Sequence, residues 1–168
     1  MSSDPPPAIY CYSKSGHTRR AAEVFAQKTG AEIVPIEVDR YRIPLLWIVR
    51  AIWDVWRSRI PPLRTGNVVP AARPWIVVAT PVWADQPAPP ARSVLATLSL
   101  SPTAVGLLTT CGSSSDQLKC MQTCDAVLGH PLTGHANIPN EIENTDEMDK
   151  RLSRFANVMR TSASKGAA

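Results

Sequence analysis

Short runs of β-branched and apolar residues alternate along the chain with longer segments in which apolar residues recur every three or four positions. The short runs are typical of buried strands and the longer segments of amphipathic helices. We predict five strands, over residues 8–12, 31–36, 75–79, 104–109 and 132–138, and five helices, over residues 16–29, 44–58, 87–98, 114–128 and 145–161. This alternation favours βαβ units, and hence an α/β fold built on a parallel sheet. The Pro-rich residues 60–74 are predicted to form a loop.

The length and composition fit one compact domain. A chain of 168 residues with 44% hydrophobic and 19% charged residues is neither a typical disordered protein nor a typical membrane protein. We assign residues 8–162 to the domain, residues 1–7 to a flexible N-terminal leader and residues 163–168 to a flexible tail. The richest apolar stretch, residues 45–56, is too short to cross a bilayer and is interrupted by Arg50 and Asp54. The leader lacks the apolar segment of a secretory signal, so we expect no export.

The cysteines and the charge narrow the function classes further. Cys11, Cys111, Cys120 and Cys124 follow no disulfide framework, which favours free thiols and a cytoplasmic location. His130 and His135 do not combine with these cysteines at zinc spacing, so we expect no metal site. The net charge is +4, but the basic residues are scattered. Because no basic stripe is present, we expect no nucleic-acid partner.

Candidate chemistry lies in the turns that follow the first, third and fourth predicted strands, because ligands of open α/β sheets bind outside the carboxyl ends of the strands. The first of these turns leads directly into a helix and consists of Ser13, Lys14, Ser15, Gly16, His17 and Thr18. Its hydroxyls and free backbone N–H groups predict a phosphate site at the helix N-terminus. An ordinary helix cap is the alternative. Cys11 precedes this turn as a phosphatase nucleophile would, but the turn has no Arg to clamp a phosphoryl group, so we expect Cys11 to be buried.

The other two turns offer surfaces for a flat ring. After the third strand come Thr80, Pro81, Val82, Trp83 and Ala84, which combine exposed backbone with an aromatic side chain. After the fourth strand come Thr110, Cys111, Gly112 and Ser113, where the glycine permits close approach of a ligand to the backbone. Trp83 is equally well explained as a core residue at the sheet edge, and the fourth-strand turn as a plain helix cap.

These features in this order resemble the flavodoxin superfamily. The resemblance rests on the turn at residues 13–18, on residues 76–83 (IVVATPVW) and on residues 106–115, and residues 50–61 resemble the second helix of its shorter bacterial members. It implies a flavodoxin-like three-layer sandwich, with a five-stranded parallel sheet in the order 2-1-3-4-5 and helices on both faces. It further implies bound FMN. The turn at residues 13–18 would hold the phosphate. Residues 80–84 would lie on one side of the isoalloxazine, with Trp83 as its aromatic neighbour, and residues 110–113 would lie on the other side.

The resemblance implies a redox protein with either a redox partner protein or NAD(P)H as its partner. Electron-carrier flavodoxins are typically acidic, whereas this chain has a pI near 9.1. The loop before residue 75 offers no second aromatic for the flavin unless Trp53 or Trp56 reaches back. An open flavin face would suit hydride transfer from NAD(P)H to a small acceptor, and Cys111 would be the one thiol beside the flavin.

A cofactor-free interaction module of the same fold is the alternative function. On the predicted helix of residues 44–58, Trp47 and Trp53 lie at the boundary between the apolar and charged faces. They either close the edge of the core or form a docking patch for a redox partner or for a second subunit in a homodimer.

Overall fold

The structure, a computed structural model, describes residues 5–38, 50, 53–54, 56–57, 59–63, 73–112 and 117–166. Five parallel strands form one sheet: β1 (Ala8–Cys11), β2 (Glu32–Pro35), β3 (Trp75–Trp83), β5 (Ala104–Cys111) and β6 (Gly134–Pro139). A two-residue strand, β4 (Gln86–Pro87), pairs antiparallel with the end of β3. The parallel strands follow the spatial order β2-β1-β3-β5-β6. This is the predicted 2-1-3-4-5 order of a flavodoxin-like fold.

Four helices lie on the two faces of the sheet: α1 (His17–Thr29), α2 (Pro89–Leu98), α3 (Leu118–Leu128) and α4 (Asp146–Gly166). A 3-10 turn (Asn140–Ile142) joins β6 to α4. Of the predicted helix over residues 44–58, Arg50, Trp53, Asp54 and Trp56 are helical, and Trp47 lies outside the described residues. Within the described part of the chain, no helix is long and apolar enough to cross a membrane.

The sheet separates two apolar clusters because alternate strand residues point to opposite faces. Ile9, Val77 and Leu108 pack with α1 and α4, whereas Tyr10, Val78 and Leu107 pack with α2 and α3. Cys120 and Cys124 are fully buried on the α3 side. Burying one apolar side chain contributes about 1.5–3 kcal/mol to the free energy of unfolding. Each cluster attaches one layer of helices to the sheet, so both are needed to hold the three layers together.

Helix α4 approaches the centre of the sheet closely at Gly106 of β5. A Cβ atom placed on this glycine would lie 2.6 Å from Sδ of Met159 and 2.8 Å from Cζ of Phe155. The Phe155 ring also stacks on Phe25 of α1, with ring centroids 5.0 Å apart. The missing side chain of Gly106 therefore makes room for the ring and thioether of α4.

Candidate functional site

The turns that follow β1, β3 and β5 meet at the carboxyl edge of the sheet. We call them the β1 turn (residues 13–18), the β3 turn (residues 80–84) and the β5 turn (residues 110–113). Their strands are neighbours, because β3 pairs with both β1 and β5. Tyr12 packs edge-on against Trp83 with ring centroids 5.8 Å apart, and Oγ1 of Thr18 lies 2.7 Å from Oγ1 of Thr110. Side-chain contacts thus join the β1 turn to the β5 turn, and the residue just before the β1 turn to the β3 turn.

The β1 turn is shaped by Ser13 and Gly16. The Ser13 hydroxyl accepts hydrogen bonds from the backbone N–H groups of Gly16, at 3.2 Å, and Arg19, at 3.3 Å. Gly16 has a φ of 93°, a left-handed conformation that favours glycine. Among the described residues, no hydrogen bond uses the N–H groups of His17 and Thr18. These donors stand at the positive end of the α1 dipole, where an anion is favoured.

Thr18 and Thr110 connect turns rather than line a surface. Their exposed fractions are 2% and 3%, and their hydroxyls bond to each other. The Thr18 hydroxyl is therefore not available to contact a phosphate, and only the backbone N–H of Thr18 remains for that role. Thr110 fixes the end of β5 against the start of α1.

A cluster of three charged or polar side chains lies beside the β1 turn. Arg20 donates from Nε to Oε1 of Glu143, and His17 donates from Nδ1 to Oε2 of the same carboxylate. Nη2 of Arg20 also lies 2.9 Å from Nδ1 of His17. The Arg20 guanidinium and, next, the His17 imidazole lower the pKa of Glu143, while the hydrogen bond to Glu143 raises the pKa of Arg20.

Glu143 was not among the site residues predicted from the sequence. It follows the 3-10 turn after β6, and therefore sits at the same carboxyl edge as the three turns. Its position shortly after a strand could have marked Glu143 as a candidate, because all five parallel strands end at this edge.

The β3 turn is a hairpin rather than the loop predicted after residue 79. Strand β3 continues to Trp83, and the chain reverses through Ala84 (φ 48°) and Asp85 (φ 59°) into β4. Two successive positive φ values define a type I′ turn, which joins antiparallel strands tightly. Val82 and Trp83 are half-buried, whereas the hydroxyl of Thr80 is buried and accepts a hydrogen bond from the N–H of Ala88 at 3.2 Å.

Gln86 ties this hairpin to two helices. Its Oε1 accepts hydrogen bonds from Nη2 of Arg92 in α2, at 3.0 Å, and from the hydroxyl of Thr123 in α3, at 2.7 Å. The position of Trp83 is thereby held on both sides of the turn, by its strand and by β4.

In the β5 turn, the side of Gly112 that a Cβ atom would occupy is not filled by any described residue. A Cβ atom on Gly112 would meet no atom within 4 Å among the described residues. The half-buried Cys111 donates from Sγ to Oδ1 of Asn137 at 3.5 Å. Ser113 lies outside the described residues. The open space at Gly112 fits close approach of a ligand better than a packing role for this glycine.

The environment of Cys11 is that of a core residue. Its exposed fraction is 6%, and burial raises the pKa of its thiol to about 12. A nucleophilic cysteine needs a lowered pKa in order to form the thiolate. The prediction that Cys11 is buried is confirmed, and both its burial and its raised pKa disfavour the thiolate form at this position.

Two other sequence predictions concern the tryptophans after residue 50 and a metal site. Trp53 and Trp56 are exposed by 47% and 76%, pack on each other at 5.7 Å, and carry the Arg57 guanidinium 4.5 Å from the Trp53 ring centroid. Among the described side chains, no three of His, Cys, Asp and Glu lie close enough to hold a metal ion.

Comparisons with known proteins agree with the topology. No family model matches the chain, and no curated protein matches it. A flavoprotein from Lactobacillus acidophilus, solved in complex with FMN, superposes with a TM-score of 0.67 at 18% identity, over 89% of this chain and 99% of that one. A candidate flavoprotein from Bacteroides uniformis gives 0.73 at 15% identity, over 89% and 97%. An archaeal flavodoxin gives 0.52 at 12% identity, over 94% and 98%. At these identities the similarity shows the flavodoxin-like fold.

Proposed function

We propose that this chain binds FMN where its three turns meet and uses it for electron transfer or for NAD(P)H-linked reduction of a small acceptor. The observation that carries the proposal is the joining of the turns, through the Tyr12–Trp83 contact and the Thr18–Thr110 hydrogen bond. A flat ring with a phosphate side chain needs an anion site and two walls close together. Here the helix N-terminus supplies the first, and the β3 and β5 turns supply the walls.

Each turn has a separate role in this proposal. The phosphate is held by the β1 turn, made of Ser13, Lys14, Ser15, Gly16, His17 and Thr18. One side of the isoalloxazine lies against the β3 turn, made of Thr80, Pro81, Val82, Trp83 and Ala84. The other side lies against the β5 turn, made of Thr110, Cys111, Gly112 and Ser113.

The residues fit such a ligand in three respects. The N–H groups of His17 and Thr18 take part in no hydrogen bond within the described chain, the half-buried Trp83 is fixed by its hairpin, and no described residue fills the space where Gly112 lacks a side chain. Bound FMN supplies the redox chemistry, while the protein binds and orients it. The FMN complex of the Lactobacillus flavoprotein supports the choice of cofactor. All four cysteines are free, which supports a reducing compartment such as the cytoplasm.

The first experiment is an FMN titration followed by quenching of flavin fluorescence. We expect saturable binding at micromolar FMN and a yellow preparation. Replacing Trp83 by Ala should weaken binding by about 10-fold, the cost of losing one aromatic neighbour of a stacked ring. Trp56→Ala is the matched control, because Trp56 is the more exposed tryptophan and packs on Trp53. A wild-type protein without FMN and without quenching contradicts the proposal and favours the cofactor-free interaction module.

A second measurement separates the two redox roles. Anaerobic addition of NAD(P)H to the FMN-loaded protein should bleach the flavin rapidly if the protein is a reductase. If it is a carrier, bleaching should require a redox partner protein. The exposed Trp53–Trp56 pair and the net charge of +4 support an acidic partner for the carrier role.

A further inference from the structure

The start of α1 carries an unusual concentration of basic side chains. His17, Arg19 and Arg20 all lie in its first turn, which has no acidic residue. The helix dipole places about half a positive elementary charge at this same end, so cations here are disfavoured. A carboxylate or another anion must offset this arrangement.

Glu143 pairs with two of these basic side chains and fixes their positions. Its side chain is only 10% exposed, and its two oxygens bind separate partners, Arg20 through Oε1 and His17 through Oε2. One carboxylate thus serves two basic side chains. By contrast, Arg19 is 70% exposed and pairs with Glu23 at 2.9 Å along the helix, away from this cluster.

Arg20 is held directly against the β1 turn. Its Nη1 atom lies 2.9 Å from the position of a Cβ on Gly16, so the guanidinium occupies the space that the glycine leaves open. Arg20 donates to Glu143 through Nε, its Nη2 atom lies beside Nδ1 of His17, and its side chain remains 45% exposed. A guanidinium has five N–H donors in a fixed fork that matches phosphate oxygens, so donors remain for a ligand.

We propose that Arg20, positioned over Gly16 by Glu143, is a phosphate ligand of the β1 turn and makes the site selective for the phosphomonoester FMN over riboflavin. This inference rests on the proposed function. Arg20 contacts the phosphate, and Glu143 is a positioning residue that acts through Arg20. The two flavins share the isoalloxazine ring, so the β3 and β5 turns cannot distinguish them, and discrimination falls to the β1 turn.

The test compares dissociation constants for FMN and riboflavin in wild type, Arg20→Ala and Arg19→Ala. Arg20→Ala should weaken FMN binding by about 10-fold or more, as expected for a lost hydrogen bond to a charged group, and change riboflavin binding by less than about 2-fold. Arg19→Ala removes the same charge from the same helix turn and should leave the FMN-to-riboflavin ratio within about 2-fold of wild type.

Glu143→Ala and the double variant with Arg20→Ala test the positioning role. The Glu143 change should weaken FMN binding in the wild-type background and have little further effect once Arg20 is absent, because coupled residues are not additive. Inorganic phosphate supplies a readout without flavin: it should raise the thermal unfolding temperature of wild type more than that of Arg20→Ala. Thermal unfolding without ligand verifies that each variant is folded.

The outcomes separate the two proposals. A wild-type protein that binds neither flavin refutes the proposed function. A wild-type protein that binds FMN, with an unchanged FMN-to-riboflavin ratio in Arg20→Ala, refutes only the role of Arg20. Additive effects of the Glu143 and Arg20 changes would refute the positioning role of Glu143.

Discussion

The hydrogen bond between Thr18 and Thr110 is a direct test of how the turns are held together. Both residues are at least 97% buried, so the hydroxyls have little access to water. Replacing one threonine by the similarly shaped valine leaves the other hydroxyl buried without its partner, which costs about 1–3 kcal/mol. Replacing both threonines removes the unpaired hydroxyl, so the double change should leave the free energy of unfolding nearly unchanged.

The assay is urea unfolding of wild type, Thr18→Val, Thr110→Val and the double variant. Because each single change should cost about 1–3 kcal/mol and the double change almost nothing, we expect a coupling free energy of about 2–6 kcal/mol, with the double variant more stable than either single one. Thr161→Val, on the exposed side of α4, is the control and should change the free energy of unfolding by less than about 0.5 kcal/mol. Additive single effects would refute the conclusion that this bond links α1 to β5.

Two further predictions concern the β3 turn and the pH dependence of stability. Ala84→Asn combined with Asp85→Gly supplies the residues that a type I′ turn prefers and should raise the free energy of unfolding by about 1 kcal/mol in urea titrations; a loss of stability would contradict the turn assignment. Burial lowers the pKa of His135 to about 4, against an ordinary value of about 6.5, so the folded protein binds fewer protons than the unfolded chain between these values. Stability should therefore fall as the pH drops through this window, by about 2 kcal/mol at pH 5 relative to pH 7. His135→Gln should remove most of this difference, and an unchanged difference would show that another group titrates.

The positions of the strands followed from local patterns that tertiary structure did not override, whereas their order followed from the family resemblance. The runs at residues 8–12 and 104–109 are short and predominantly apolar, and both form interior strands of the sheet. The β3 hairpin was missed for a local reason: Ala84 and Asp85 have positive φ without the Gly or Asn that usually marks such a turn. The turn is instead stabilised from outside, by the bonds of Gln86 to α2 and α3.

The candidate site was predictable only as separate turns. Their shared edge follows from the topology of parallel strands, and the Tyr12–Trp83 and Thr18–Thr110 contacts show that neighbouring segments at this edge touch. Their common role as a ligand site stays a prediction. Individual partners did not follow from the topology. Glu143 lies 126 residues from His17 along the chain, and no local pattern connects them. Hydrogen bonds of this kind depend on side-chain positions that only the folded core determines.

The close packing of Phe155 and Met159 on Gly106 gives the last helix a particular place in the assembly of the fold. The sheet face that these residues cover includes β1, β3 and β5, all made earlier during synthesis. Until α4 has left the ribosome, that apolar face has only α1 to shield it from water. Completion of the core on this side must therefore wait until α4 has been synthesised, and the nascent chain carries an exposed hydrophobic surface up to that moment.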